Sequence, residues 1–167
     1  MELSQRNERG RLGASGRPGW GQTGASAVEF AIVLPVLVLL VFGIVQFGIA
    51  YNRVQGLNAA AREGARLASV GAGYSDIQTR VQSAQSLFAA ADVQVDTCSS
   101  PSGTSACTPT TGQQDTCASA GVGGQLTVQA TVAPNPTYAI NIPLMPGAPY
   151  SIGYSASGVF RCERTGP

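Results

Sequence analysis

The hydrophobic pattern splits the chain into one unbroken apolar run and a longer tract of amphipathic segments. From Phe30 to Tyr51 every position except Gln46 is apolar or small. A helix over that run, rising about 1.5 Å per residue, covers roughly 33 Å, close to the hydrocarbon core of a bilayer at about 30 Å. The pattern predicts a single transmembrane helix over residues 25–51, with the lipid bilayer around it. Behind it an amphipathic helical extension is expected over residues 52–73, because Val54, Leu57, Ala61, Ala65 and Ala68 recur near helical spacing against Arg53, Arg62, Glu63 and Arg66. Gly56, Ala60, Gly64 and Ala68 repeat every fourth residue along this extension. Such a stripe of small side chains lets another helix approach closely, either from a partner subunit or from the chain's own second helix.

Gly71-Ala72-Gly73 reads as a helix stop, since glycine takes up the left-handed conformation that closes helices. A second helix is expected over residues 76–91, opened by a capping box of Ser75 and Gln78. Its apolar stripe is Ile77, Val81, Ala84 and Phe88, with Gln78, Arg80, Gln82 and Gln85 facing away. Strand signals follow: a short alternation at residues 93–95, a faultless one at residues 125–132, and a third at residues 150–160 with Ile152, Tyr154, Ala156 and Phe160 on one parity. Pro134, Pro136, Pro143, Pro146 and Pro149 predict an extended connection before the third strand, with a short strand at residues 138–142. Residues 97–124 are rich in Ser, Thr, Gly, Pro and Cys and cannot build a core alone. The expected fold class is α+β: a long N-terminal transmembrane helix with its amphipathic extension, then a second helix packed on a small antiparallel sheet in a head spanning residues 74–167.

Composition narrows the chemistry. The formal net charge is +1 and all ten basic residues are Arg, with no basic run, so nucleic-acid contact is not predicted. There is no His, which removes the usual general base and the usual metal ligand. Asp76, Asp92, Asp96, Asp115 and Glu163 are scattered over helix, strand edge and loop without a pairing suited to acid–base work, and no glycine-rich phosphate loop follows a strand. The chain reads as a non-enzyme without catalytic residues or cofactors.

Cys98, Cys107, Cys117 and Cys162 all lie well beyond the apolar run, and an even count in a small loop-rich head suggests two disulfides. Arg residues flank the run on both sides and leave its orientation nearly undecided. The cysteines argue that the head is extracytoplasmic, where disulfides persist. In an antiparallel meander Cys98, Cys117 and Cys162 fall at one end of the sheet. Three pairings are open and the sequence does not choose among them; Cys98 with Cys107 and Cys117 with Cys162 is preferred. The spacings contain no close Cys-x-x-Cys pair, so no metal site is expected.

Two residues break the pattern of the apolar run. Glu29 stands at its start, where a carboxylate costs up to about 3 kcal/mol at the bilayer centre and less near the interface. Pro35 removes the helix hydrogen bond to the Ala31 carbonyl and predicts a kink. Residues 1–24, with Arg6, Arg9, Arg11 and Arg17 among Gly and Ser, read as a disordered cytoplasmic leader.

A glycine at position 24, four residues, then Glu29 and Phe30 opening into an apolar helix resembles the processing site of prepilins of the tight-adherence (Flp-type) pilus system. The segment Asn58-Ala59-Ala60-Ala61-Arg62-Glu63-Gly64-Ala65-Arg66 resembles the hallmark of TadE-like proteins, the minor pseudopilins of that system. The resemblance implies cleavage after Gly24 by a prepilin peptidase, leaving Ala25 as the first residue, and Glu29, with Phe30 and Pro35 nearby, in contact with neighbouring subunits. It implies as partners that peptidase, pilin and other pseudopilin subunits and the inner-membrane assembly platform. It assigns Asn58, Ala61, Arg62, Glu63 and Arg66 to a family segment without a stated chemical role.

Two other classes predict different molecules. A membrane-anchored surface adhesin would use the loop between Cys98 and Cys117 without any pilus. A secreted protein would be cut by signal peptidase after the small-x-small triplet Gly48-Ile49-Ala50 and begin at Tyr51, although the apolar run exceeds the 7 to 15 residues of a signal-peptide core.

Overall fold

The computed structural model describes residues 20–142 and 146–164. The chain divides into two compact units, Met1–Val38 and Leu39–Pro167. Residues 1–19 of the expected leader and Pro143 lie outside the described residues. Helix α1 spans Trp20–Ser69 and contains Pro35. It begins earlier than the leader boundary suggests: residues 20–24 are helical, because extending a helix already nucleated downstream fixes one residue per hydrogen bond and nothing between Trp20 and Gly24 forbids it. In the first unit the helix shows its apolar side chains outward, with Ile32 70% and Val36 68% exposed, as a helix bathed in lipid does.

In the second unit, α1 is followed by helix α2 (Tyr74–Ala84) and strands β1 (Val93–Ser100), β2 (Gln125–Val132) and β3 (Tyr154–Arg161), with a one-turn helix α3 (Cys117–Ala120) between β1 and β2. The strands form an antiparallel sheet in the order β1-β2-β3. This is the α+β arrangement that the alternation of periods predicts, a meander under two helices. The turn after α1 is closed at Gly71, whose φ of 93° only glycine adopts cheaply, with its N–H bonded to the Ala68 carbonyl.

The second helix differs from its sequence signature at both ends. Its N-cap is Gly73, whose carbonyl accepts from the Asp76 and Ile77 N–H groups, and Ser75 makes no capping bond. It stops at Ala84 instead of reaching residue 91, because Gln85 turns inward. The Gln85 carboxamide accepts from the N–H groups of Leu87 and Phe88 and donates to the Phe88 carbonyl, so a buried side chain takes over the backbone partners of the next turn. Ala84 is consequently exposed, and Phe88 reaches the core from a loop.

One sheet face carries Val93, Val95 and Thr97 on β1, Leu126, Val128, Ala130 and Val132 on β2, and Tyr154, Ala156 and Gly158 on β3. All of these but Thr97 and Gly158 join Leu57, Ala60, Ala61, Ala65 and Ala68 of α1 and Ile77 and Val81 of α2 in a continuous core. The opposite face is polar, and the loop of residues 101–116 folds back towards it. Asp96 accepts from the Gly112 N–H at 2.7 Å, and Thr97 exchanges backbone bonds with Gln113 and Asp115, which covers the outer edge of β1. Phe160 shares the parity of Tyr154 and Ala156 yet is 38% exposed, since it sits at the sheet's end. The expected strand at residues 138–142 is reduced to a single bridge between Ile140 and Tyr150, after a 3-10 turn over Pro136–Tyr138.

Cys98 pairs with Cys107 and Cys117 with Cys162, with Cα separations of 6.1 and 5.6 Å. The first fixes the loop to β1, and the second joins α3 to the end of β3. Beyond Cys162 the N–H groups of Glu163 and Arg164 bond to the Ser69 carbonyl at the end of α1, satisfying one of the acceptors a helix terminus leaves open.

Candidate functional site

The residues singled out by sequence fall into two groups along α1. Gly24, Ala25, Glu29 and Phe30 lie in its first turns and are exposed, with open space around the Gly24 Cα. Pro35 follows within the same helix. Nothing in these first turns forms a side-chain constellation among the described residues that would act on a bound molecule. They are a presented surface.

The second group is where α1 docks on the sheet and on α2. At Gly64 a Cβ would come within 2.3 Å of a Val81 methyl and 3.6 Å of both Ile77 and Val128, so α2 packs directly onto the glycine. Ala60 and Ala68, flanking it in the stripe, are fully buried, and Gly56 faces the side chain of Leu87. This small-residue face is thus occupied by the chain's own second helix and the loop after it. The adjoining face carries Ala61 and Ala65, and there the sheet comes in: a Cβ on Gly158 would lie 2.8 Å from the Ala61 carbonyl oxygen and 2.9 Å from the Arg62 Cα. Small residues on two neighbouring faces of one helix let a helix and a strand touch its backbone at the same level.

The charged residues of the same segment point away from the core. The Arg80 guanidinium donates to the Glu63 carboxylate at 2.6 Å, and Arg66 donates to it at 3.3 Å. Hydrogen bonds from Arg66 and then Arg80 hold the Glu63 carboxyl well below the usual carboxylate range, at about 2. The bridge from Glu63 to Arg80 is the polar clasp between α1 and α2, while Arg62 is exposed and Asn58 half-buried.

One cluster has no counterpart in the sequence signals. Arg53, two residues past the apolar run, donates to the Tyr138 carbonyl at 2.8 Å and to the Tyr154 hydroxyl at 3.3 Å. Its guanidinium carbon stands 5.4 Å from the Tyr138 ring centroid and 5.9 Å from that of Tyr154, within cation–π range. Phe88 packs edge-on against Tyr138 at 4.7 Å, and the Tyr138 hydroxyl donates to Asp92 at 2.7 Å. The cluster ties the proline-rich connection to the helix just beyond its apolar run. Tyrosines among prolines after an Arg at the end of a span were the available hint, but pairing across such a sequence distance has no periodic signature.

Among the described residues no three of His, Cys, Asp or Glu come together in a metal-holding group. α1 is long and apolar enough to cross a membrane, and its C-terminal part packs in the core of the disulfide-bonded head.

Residues 24–66 match the sequence model of the family described as TadE-like protein. No match was found to a curated protein or to a solved structure. The matched stretch opens at Gly24, takes in the whole apolar run and closes at Arg66, so it covers both groups of α1 residues described above except Ala68 and stops short of α2 and the sheet.

Proposed function

We propose that this protein is a minor pseudopilin of a tight-adherence type IV pilus, held in the membrane by α1 and processed by a prepilin peptidase between Gly24 and Ala25. The observation that carries this reading is the TadE-like match over residues 24–66 on a helix whose apolar side chains face outward. A TadE-like segment and an N-terminal apolar helix fit a single-pass membrane anchor of that pilus system.

On this reading each part has a task. Residues 25–51 hold the chain in the bilayer before assembly. Glu29, exposed in the first turns, offers a carboxylate to the new amino terminus of a neighbouring subunit, an ion pair strengthened by low surrounding dielectric. The family segment, with its glycine and alanines buried against α2 and β3, seats the head on the anchor, so its small residues serve docking within the chain. The head lies outside the cytoplasm, where Cys98–Cys107 and Cys117–Cys162 persist. Its role is structural, and its partners are the peptidase, pilin and pseudopilin subunits and the assembly platform.

The test is genetic and biochemical together. Deleting the chromosomal copy should abolish or sharply reduce surface pili, and an affinity-tagged copy should restore them and retain pilus-assembly proteins after detergent extraction. A Glu29→Gln form should reach the membrane in normal amount yet fail to restore pili. Normal piliation in the deletion strain would refute the assembly role and leave the pilus-independent adhesin.

A further inference from the structure

The two edges of the sheet differ. The Cys162 N–H bonds to the Gly124 carbonyl at 2.7 Å and its carbonyl accepts from Gly123, so the even-numbered residues of β3 turn their backbone groups towards β2. Ser155, Ser157, Val159 and Arg161 therefore turn theirs outward. All of them are exposed, and none of their backbone groups has a hydrogen-bond partner among the described residues. On β1 every outward residue is engaged: the Val93 carbonyl accepts from Gln82, that of Val95 from Tyr74, Thr97 bonds to Gln113 and Asp115, and the Ser99 N–H donates to the Asp115 carboxylate. β3 also lacks the devices that blunt an edge: it has no proline or lysine, its register on β2 is unbroken, and its one charge is Arg161 at the end.

Two recesses flank the end of this edge, one on each face of the sheet. On the polar face Val159 and Arg161 join Ser102 and Gln125 around about 490 Å³. On the helical face Phe160 joins Leu67, Val70 and Glu163 around about 270 Å³. Side chains of an added strand alternate between the faces, so neighbouring ones reach the two recesses in turn. The charge beside the edge is mainly positive. Arg62, whose Cα adjoins Gly158, and Arg161 form no ion pair among the described residues. Glu63 is already held by Arg66 and Arg80, which leaves Glu163 as the unpaired carboxylate beside them among the described residues.

We infer that the outer edge of β3 is a strand-addition site that takes an extended, acidic segment of another protein, bonded to the backbone of Ser155, Ser157, Val159 and Arg161. The occupant is polypeptide because the unmet groups are a row of alternating main-chain donors and acceptors. It is acidic because Arg62 and Arg161 stand free beside that row. A second copy of the chain does not fit. β3 runs alongside α1 in the same direction, Tyr154 beside Arg53, Gly158 beside Ala61 and Glu163 beside Ser69, so copies anchored in one membrane present β3 in parallel. A two-fold pair then sets Ser157 opposite Ser157, whereas parallel pairing needs the outward groups of residues 156 and 158, which face β2. The β1 edge of a copy is closed as well. The exclusion of a copy rests on α1 being a membrane anchor; the open edge does not, and neither depends on pilus assembly.

The test is amide hydrogen exchange, resolved by residue with NMR, on the full chain in detergent micelles. The probe is a capped octapeptide of alternating valine and threonine carrying aspartate at both ends, with a lysine-ended counterpart, each at millimolar concentration. The aspartate peptide should slow exchange at Ser155, Ser157, Val159 and Arg161 severalfold, leave Tyr154, Ala156, Gly158 and Phe160 unchanged, and act more strongly than the lysine peptide. Ser157→Pro removes an outward N–H without touching the β2 ladder and should abolish the effect. Should that variant fold poorly, the exposed pair Arg62→Glu and Arg161→Glu reads the same site and should reverse the preference to the lysine peptide. Unchanged exchange at the outward amides with either peptide overturns the inference, as does an equal response to both peptides. Outward amides that are protected before peptide is added, and lose protection on dilution, point to a second copy and overturn it too. Because the readout uses the purified chain, normal piliation in a deletion strain would leave this result untouched.

Discussion

Gly158 of β3 and Ala61 of α1 meet backbone to backbone: a Cβ added to the glycine would lie 2.8 Å from the Ala61 carbonyl oxygen. Backbone atoms at that distance cannot swing aside as the end of a side chain can. Gly158→Ala should therefore push the sheet away from α1 and destabilise the head by about 1–3 kcal/mol. Thermal unfolding of the full chain in detergent, followed by circular dichroism, checks this; an unchanged Tm would show that strand and helix are not in contact.

The stripe of small residues on α1 makes a prediction of opposite signs. Gly64→Ala places a methyl 2.3 Å from Val81, inside the core, and should cost about 1–3 kcal/mol. Gly56→Ala meets only the far end of the Leu87 side chain, at 3.0 Å. Leu87 is 36% exposed and free to give way. There the helix propensity of alanine over glycine, up to about 1 kcal/mol, should prevail and raise stability slightly. Equal effects of the two substitutions on Tm would contradict the packing described.

Glu63 should impart a pH dependence. Its folded carboxyl titrates at about 2 against an ordinary value of 4.5, held down by Arg66 and Arg80. A depressed carboxyl pKa stabilises the fold above the unfolded value and loses that contribution as pH falls through the folded one. Glu63→Gln should thus lower Tm slightly and evenly from neutral pH down to about 4.5, and the difference from the native chain should shrink between there and about pH 2. The effect is small because the side chains of Arg66 and Arg80 are 69% and 51% exposed. A difference that grows on acidification would exclude this clasp.

The two disulfides should differ in worth. Cys117–Cys162 closes a sequence separation of 45 and Cys98–Cys107 one of 9. Loop-closure entropy then gives about 4 kcal/mol for the long loop and about 3 for the short one. Double alanine replacement of Cys117 and Cys162 should lower the denaturation midpoint more than that of Cys98 and Cys107. The reverse order would place the head's weak point in the loop of residues 101–116.

How far the sequence disclosed this structure depends on how local each signal is. The apolar run and the alternation at residues 125–132 are periodic within themselves, and α1 and β2 follow them, β2 to the residue. The end of α2 was illegible, since Gln85 looks like a solvent-facing position until its carboxamide is seen holding Phe88. β1 runs on to Ser100 beyond the alternation that announces it, because its far half is paired by β2 and covered by the loop, which no pattern in residues 96–100 reveals. Arg53 with Tyr138 and Tyr154 was equally hidden, being a cluster assembled from three distant parts of the chain. The stripe from Gly56 to Ala68 was visible as spacing, but only the fold shows α2 and the loop behind it lying against it.

Intact mass with N-terminal sequencing of the protein from native membranes decides between the proposed processing and secretion. A pseudopilin cut after Gly24 stays membrane-bound and begins at Ala25. A water-soluble chain that begins at Tyr51, with the apolar run gone, would refute the proposal.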